Sequence, residues 1–334
     1  MNMLVMLLLA VFSTPLVAEQ SEKVIVNVDN FVRAETAAQF DRLLALSGGV
    51  NRWFHFREPT PLDKQTVIRM NRDTLYSAVL VDISKGASLT IPDAGERYIS
   101  VMVVNEGHYI NKVFHEPGVH KLTMSEFDTP YVQLSVRILV DATDPEDIEQ
   151  VHALQDQLKI EADSSKPYTH PDYDDESYKM VYQHMLALGR GVPDARRTFG
   201  KKEDVDAVRH LLATAWGWGG LPDEEAAYLN IEPNLPVGAY KIHVKDVPVD
   251  AFWSISVYNK DGYFQENKYS AYSVNNLTGK QNEDGSFTIH LGGDPKSVNF
   301  LPVTEGWNYV VRLYRPRKEI IDGSWEFPGV EKVK

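Results

Sequence analysis

Apolar and polar positions follow two different rhythms along this chain. Residues 34–46, "AETAAQFDRLLAL", have helical composition and run into Gly48–Gly49, which predicts a helix stopped by glycine. From Asp73 to Val140 short β-rich runs are punctuated by "SKGA", "PDAG", "NEG" and "EPG", the rhythm of an antiparallel sandwich or barrel. Within "YVQLSVRILV", Val132, Leu134, Val136, Ile138 and Val140 fall on one face of a strand. Helical spacing then returns. Asp144, Pro145 and Glu146 read as N-cap, first-turn proline and first-turn acid, followed by an apolar stripe of Ile148, Val151, Leu154 and Leu158. A second helix is expected over 176–188, with Tyr178, Val181, Met185 and Leu188 inward and Gly189 as its stop. A third is expected over 203–216, with Val205, Val208, Leu211, Leu212 and Ala215 on one stripe. From Tyr228 the β rhythm resumes to the end. Asp284–Gly285 marks a hairpin turn there, and "NYVVRLYRP" reads as a strand stopped by Pro316.

The two β segments echo each other. "ERYISVMVVNEGHY" and "DAFWSISVYNKDGYF" align Tyr98 with Phe252, Ser100 with Ser254, Val103 with Val257 and Asn105 with Asn259. Late in each segment Val136–Arg137–Ile138 matches Val311–Arg312–Leu313. The order and spacing predict one β layout used twice, with a longer loop in the second copy within residues 265–280. The fold class that follows is mainly β with helical additions (α+β). It comprises two antiparallel β-sandwich, jelly-roll-like domains separated by a helical insertion. The boundaries are a signal segment at 1–18, an N-terminal helix plus first sandwich at 19–140, the insertion at 141–220, and the second sandwich at 221–334.

"MNRDTLYSAVLVDISKG", "YISVMVVNEGHY" and "KVFHEPGVHKLT" resemble the module called domain of unknown function 1254. "AYLNIEPNLPVGAYKIHV", "NNLTGK", "DGSFTIHLGGDP" and "RLYRPRKEIIDGSWEFPGVEKV" resemble domain of unknown function 1214. The resemblance implies an exported, mainly bacterial protein of two β-sandwich domains. It transfers no activity and no catalytic residue.

Composition narrows the function classes. A net charge of −13 argues against a nucleic-acid or anionic-membrane partner, since either needs a basic face. The absence of cysteine removes disulfides, thiolate metal sites and a Cys nucleophile. "MNMLVMLLLAVFSTPLVA" has an apolar run from Met3 to Phe12, too short to span a bilayer, followed by Pro15 and Ala18. It reads as a signal peptide cleaved before Glu19, so a periplasmic or secreted location is expected, with no membrane insertion afterwards. No Gly-x-Ser-x-Gly elbow, Walker loop or dinucleotide-binding glycine motif occurs, and no cofactor is expected.

Candidate chemistry clusters at strand ends. "NRDTLY" offers Asn71, Arg72, Asp73 and Tyr76: Arg72 as a fork for a carboxylate or phosphate, Asp73 as a general base or hydroxyl orienter. His108 is the best single acid/base candidate because its ordinary pKa lies near neutrality, and Tyr109 beside it could line a cleft. Asn105 and Asn259 are read as turn formers that tolerate left-handed backbone. "HEPGVH" places His115 and His120 five apart across Pro117–Gly118, which forbids the zinc-protease helix, so no metal is assigned. "DYDDES" is read as solvated capping, with Asp174 to Glu176 at a helix start. Among the aromatics, Trp218 is weighed as a ligand platform and Trp253 as core. The expected partner is a small polar molecule, sugar or organic acid, held by Asn71, Arg72, Asp73, Tyr76, His108, Tyr109 and Trp218, with homo-oligomerisation left open. The alternatives are a hydrolase or lyase using His108 or Asp73 as base, and an envelope interaction or structural protein.

Overall fold

The computed structural model describes residues 23–65, 68–192 and 194–333. The expected signal segment lies outside the described residues. The chain opens with helix α1 (Phe31–Ser47), closed by Gly48 in the left-handed conformation at φ 75°, as its glycine pair predicts. Strands β1 (Phe54–His55), β2 (Thr74–Asp82), β3 (Ala87–Ile91), β4 (Ile99–Asn105), β5 (Ile110–Phe114) and β6 (Gly118–Leu122) follow. After a short helix α2 (Met124–Phe127) come β7 (Tyr131–Leu139), α3 (Pro145–Gln155) and β8 (Lys159–Ala162). Two sheets result, ordered β1-β2-β7-β4-β5 and β6-β3-β8. Val132, Leu134, Val136, Ile138 and Val140 all enter one apolar cluster with Val79 of β2, Val101 of β4, Leu89 of β3 and Leu122 of β6, so both sheets contribute to it. Sheet pairing runs on into β8, which bonds to β3, beyond the expected start of the insertion at 141.

Helices α4 (Asp175–Gly189) and α5 (Ala207–Trp216) pack with α1 through Phe31, Ala34, Val181, Met185, Leu212 and Ala215. Asp174 caps α4 by accepting from the Ser177 amide, and Asp144 caps α3 by accepting from the Glu146 amide. Two expected inward positions are outside. Leu188 is 64% exposed because Gly189, inside the helix, takes the inward place: a Cβ there would lie 2.7 Å from the Trp216 ring. Val208 is 65% exposed because α5 starts at its Asp206 cap, and polar His210 and Thr214 occupy buried positions secured by hydrogen bonds. Apolar spacing could not reveal a buried face that is partly polar.

The second β segment holds β9 (Ala226–Ile231), β10 (Tyr240–Val244), β11 (Trp253–Tyr258), β12 (Ser273–Asn275), β13 (Phe287–Leu291), β14 (Phe300–Leu301), β15 (Asn308–Tyr314), α6 (Lys318–Ile321) and β16 (Glu331–Lys332). The sheets are ordered β12-β11-β15-β9 and β14-β13-β10-β16, antiparallel except for β13–β14. Trp253 is buried among Ile255, Ile289 and Val311, in a cluster fed by both sheets. The order β2-β7-β4-β5 in the first unit corresponds to β9-β15-β11-β12 in the second. Registers agree as well: Arg137 stands between Tyr76 and Ser100, and Arg312 between Tyr228 and Ser254. The repeat is therefore one strand layout used twice. The longer loop of the second copy spans 259–272 between β11 and β12.

Asn105 and Asn259 also play one role in both copies, by a different means from the expected one. Asn105 Oδ1 accepts from the Gly107 and Tyr109 amides, and Asn259 Oδ1 from the Asp261 and Tyr263 amides. The left-handed residues are instead His108, φ 61°, and Gly262, φ 83°. The side chain of Asn makes the turn, and its backbone does not.

Candidate functional site

Strand alternation determines where the two echoed arginines point. Val136 and Ile138 face the first core, so Ser135 and Arg137 face away from it; likewise Val311 faces the second core, and Val310 and Arg312 face away. These outward faces look toward one another. At one end they are in contact: Tyr98 meets Phe252 with ring centroids 5.2 Å apart, and Phe252 stacks on Tyr314 at 4.1 Å. Between them lies a cavity of about 740 Å³ whose lining includes Asn71, Tyr76, Arg137, Trp218, Gly219, Tyr228, Arg312 and Tyr314. The largest relevant rings and both central arginines thus share one space.

The two arginines differ sharply in how they are satisfied. Arg312 donates from Nη1 to Ser256 Oγ at 2.9 Å. Its Nη2 donates to the Arg69 and Met70 carbonyls at 2.7 and 3.1 Å and to Tyr258 Oη at 2.8 Å. Arg137 is 9% exposed and donates only from Nη2, to the Gly219 carbonyl at 3.1 Å; its Nη1 is buried without a partner among the described residues. Its guanidinium carbon lies 5.6 Å from the centre of the Tyr76 ring. Burial opposes the Arg137 charge, but the surrounding phenols, led by Tyr76 and Tyr228, outweigh it and hold the pKa above the ordinary arginine value. Arg137 is cationic at every accessible pH.

Hydroxyl donors surround this cation. Asn71 Nδ2 lies 3.2 Å from both Tyr76 Oη and Tyr314 Oη, and 3.1 Å from Thr74 Oγ1. An amide nitrogen can only donate, and its two hydrogens are shared among three oxygens, so a phenol that accepts from it keeps its own O–H free to donate elsewhere. Burial pushes the Tyr314 phenol well above its ordinary value and raises Tyr228 too, so both remain protonated donors. The lining also includes apolar Phe56, Met70, Phe199, Trp216 and Val310. A cation and phenol O–H donors within an aromatic cavity suit an acceptor-rich anion.

Of the residues expected from sequence, Asn71, Tyr76 and Trp218 line this cavity, Trp218 being held by its Nε1–H to Thr36 Oγ1 at 3.1 Å. Arg72 and Asp73 do not. Arg72 donates to the Thr60 carbonyl and lies over the Tyr272 ring, bordering a separate cavity of about 350 Å³. Asp73 is buried, and its Oδ2 accepts from Ser254 Oγ at 2.7 Å. Its charge supports the cationic form of Arg312 after burial and the phenols of Tyr258 and Tyr314 are counted. Arg72 and Asp73 thus stand apart from this cavity and together border the separate one, where Asp73 Oδ1 is buried without a hydrogen-bond partner among the described residues.

His108 is fully buried and does not line the cavity. Its Nε2 accepts from the Gly219 amide at 2.9 Å, so the ring proton sits on Nδ1 and is donated to Thr214 Oγ1 at 2.9 Å; Thr214 in turn donates to the His210 carbonyl. Burial, reinforced by neighbouring His210, holds its pKa well below the ordinary histidine value. The imidazole packs beneath Trp218, whose ring is stacked on it at 5.3 Å. Tyr109 stacks on His210 at 4.5 Å, away from the cavity. His115 pairs with Glu225 at 2.7 Å and His120 with the Glu116 carbonyl, so the three histidines have separate surroundings. Among the described residues no group of three or more His, Asp or Glu side chains gathers as a metal site, and no helix is long and apolar enough to cross a membrane.

Arg137 and Arg312 were visible in the sequence only as part of an echo. The available signal was a charge centred in an otherwise apolar strand, which has to be satisfied by something buried.

Residues 50–111 match the family model described as Protein of unknown function (DUF1254), and residues 223–318 match Protein of unknown function (DUF1214). The chain carries the two modules in tandem. None of the curated proteins matches its sequence. Its fold is similar to that of the VPA0106 protein from Vibrio parahaemolyticus, with TM-score 0.69 and 20% identity over 92% of this chain and 100% of that one. It is also similar to an uncharacterized protein from Burkholderia cenocepacia, with TM-score 0.53 and 15% identity over 91% of this chain and 88% of that one. At these identities the likeness concerns fold. Tyr76 and Arg312 of the cavity lining fall within the two matched spans, and Arg137 and Trp218 lie between them.

Proposed function

We propose that the protein binds a small organic anion in the cavity between its two modules. The observation that carries this reading is Arg137: a buried cation at the cavity wall with one protein acceptor and an unpartnered Nη1. Leaving such a charge unpaired is costly, and a ligand carboxylate would supply both acceptors and counter-charge. Of the two ligand classes expected from sequence, this favours the organic acid over the sugar. The hydrolase or lyase alternative loses support, since His108 and Asp73, its intended bases, do not line the cavity.

Each module is read as a β-sandwich, supported by the apolar cluster that its two sheets share. Export is part of the same proposal, resting on the apolar segment before Pro15 and Ala18; N-terminal sequencing of protein recovered from the periplasm or medium should begin at Glu19. For binding, a thermal-shift panel of carboxylates, phosphate and neutral sugars tests the reading. Anions should raise the melting temperature by several degrees, and Arg137→Met should remove the effect. Stabilisation by neutral sugars alone, or an anion response that survives Arg137→Met, would overturn it.

A further inference from the structure

Because one layout occurs twice, each module serves as the reference for the other. Arg137 and Arg312 occupy the same register, opposite Ser100 and Ser254 and beside Tyr76 and Tyr228. In the second module the positions two and four beyond the serine are Ser256 and Tyr258, and both accept from Arg312. In the first module the same positions are Met102 and Val104, which offer no oxygen. A second difference concerns charge. Three residues before each tyrosine stands a carboxylate, Asp73 or Glu225. Asp73 crosses to the second module, bonds Ser254 and supports the Arg312 charge. Glu225 crosses to the first module and is held by His115 Nε2 at 2.7 Å. Arg137 therefore has its twin's position on the same cavity without its twin's acceptors or counter-charge.

We infer that this cavity selects a monoanion with a flat apolar body, an aromatic carboxylate being the class that fits; this rests on reading the cavity as an anion site. Charge balance sets the single negative charge. Arg312 is balanced as described, Arg69 is paired with Glu232 at 2.9 Å, and Lys64 is exposed to solvent. One buried positive charge remains, which one carboxylate matches, whereas a second anionic group would be buried without a partner. The walls set the body. Trp218, Trp216, Phe199 and Phe56 present rings, and the phenols of Tyr76 and Tyr314 add donors beside the cation.

Isothermal titration of the full chain with phenylacetate, succinate, inorganic phosphate and phenylacetamide tests this. Phenylacetate should bind best, and Arg137→Met should weaken it by about tenfold to a hundredfold while leaving the melting temperature within a few degrees. Arg137→Lys keeps the charge without the planar fork and should lose part of the affinity; it serves if the methionine variant does not fold. Preference for succinate or phosphate, abolished by the Arg137 variants, would overturn the aromatic monoanion and leave the anion site standing. Equal binding of phenylacetamide, phenylacetate binding untouched by either variant, or binding of no probe would overturn both.

Discussion

At the scale of single residues, the contrast between the two arginines gives the first prediction. Replacing Arg312 by Met removes the donor from Ser256, Tyr258 and two carbonyls and takes one of the cations near buried Asp73 away. It should cost about 3–5 kcal/mol in urea unfolding, read as a lower midpoint at constant slope. Arg137→Met, which removes a charge that lacks partners, should be close to neutral or stabilising in the same measurement. His108 gives the second. Its folded pKa is depressed, so as pH falls through about 6.5 the unfolded chain takes up a proton that the folded chain refuses. Stability is therefore complete above that pH and declines below it, by up to about 1.4 kcal/mol per pH unit from this group. His210, also lowered by burial, acts in the same direction. Calorimetry from pH 7.5 to 5 should show the decline, and His108→Gln should flatten it. A pH-independent melting temperature over that range would contradict the neutral, sealed imidazole.

At the scale of elements, helix α5 and the turn after it build one wall of the cavity. The Asp206 side chain accepts from the Val208 and Arg209 amides, so Asp206→Ala should cost about 1 kcal/mol of stability by chemical denaturation. Beyond the helix, Gly219 sits at φ 75°, its amide donating to His108 and its carbonyl accepting from Arg137. A Cβ there would meet only the Met102 methyl at 3.8 Å, so space is not the obstacle. The left-handed backbone is. Gly219→Ala should cost about 1 kcal/mol and weaken anion binding too, because the Gly219 carbonyl orients the guanidinium. Ligand affinity unchanged in that variant would show that Arg137 does not depend on the turn. This turn was legible as "WGWGGLP", a glycine-rich aromatic stretch, but its two hydrogen-bond partners lie about a hundred residues away in sequence.

At the scale of the whole molecule, the modules share a core of their own making. Tyr98, Met102 and Val104 of the first pack with Phe252 and Tyr314 of the second and with Phe199 and Leu221 from the connecting region. Salt-bridge geometry adds His115 to Glu225 across the same boundary. Two modules that bury an apolar face against each other should unfold together, so calorimetry should give one transition with equal calorimetric and van't Hoff enthalpies. Two resolved transitions would mean that the shared cluster contributes little. Ligand should shift that single transition, since the cavity draws residues from both modules.

The apolar alternation in residues 131–140, the caps at Asp144 and Asp174, and the doubled "VR" strands were decided locally, by side-chain period and turn chemistry, and could be read from sequence. The buried polar face of α5, the sealing of His108 and the location of the cavity were not, because each depends on which groups meet across the fold. Most of all, the tripeptides around Arg137 and Arg312 differ only in the isomers Ile138 and Leu313, yet both end nitrogens of one arginine are bonded and one of the other's is not. The difference comes from neighbouring strands and from carboxylates that cross between modules. Hydrogen bonding and charge balance act through space, and only the folded chain brings those partners within reach.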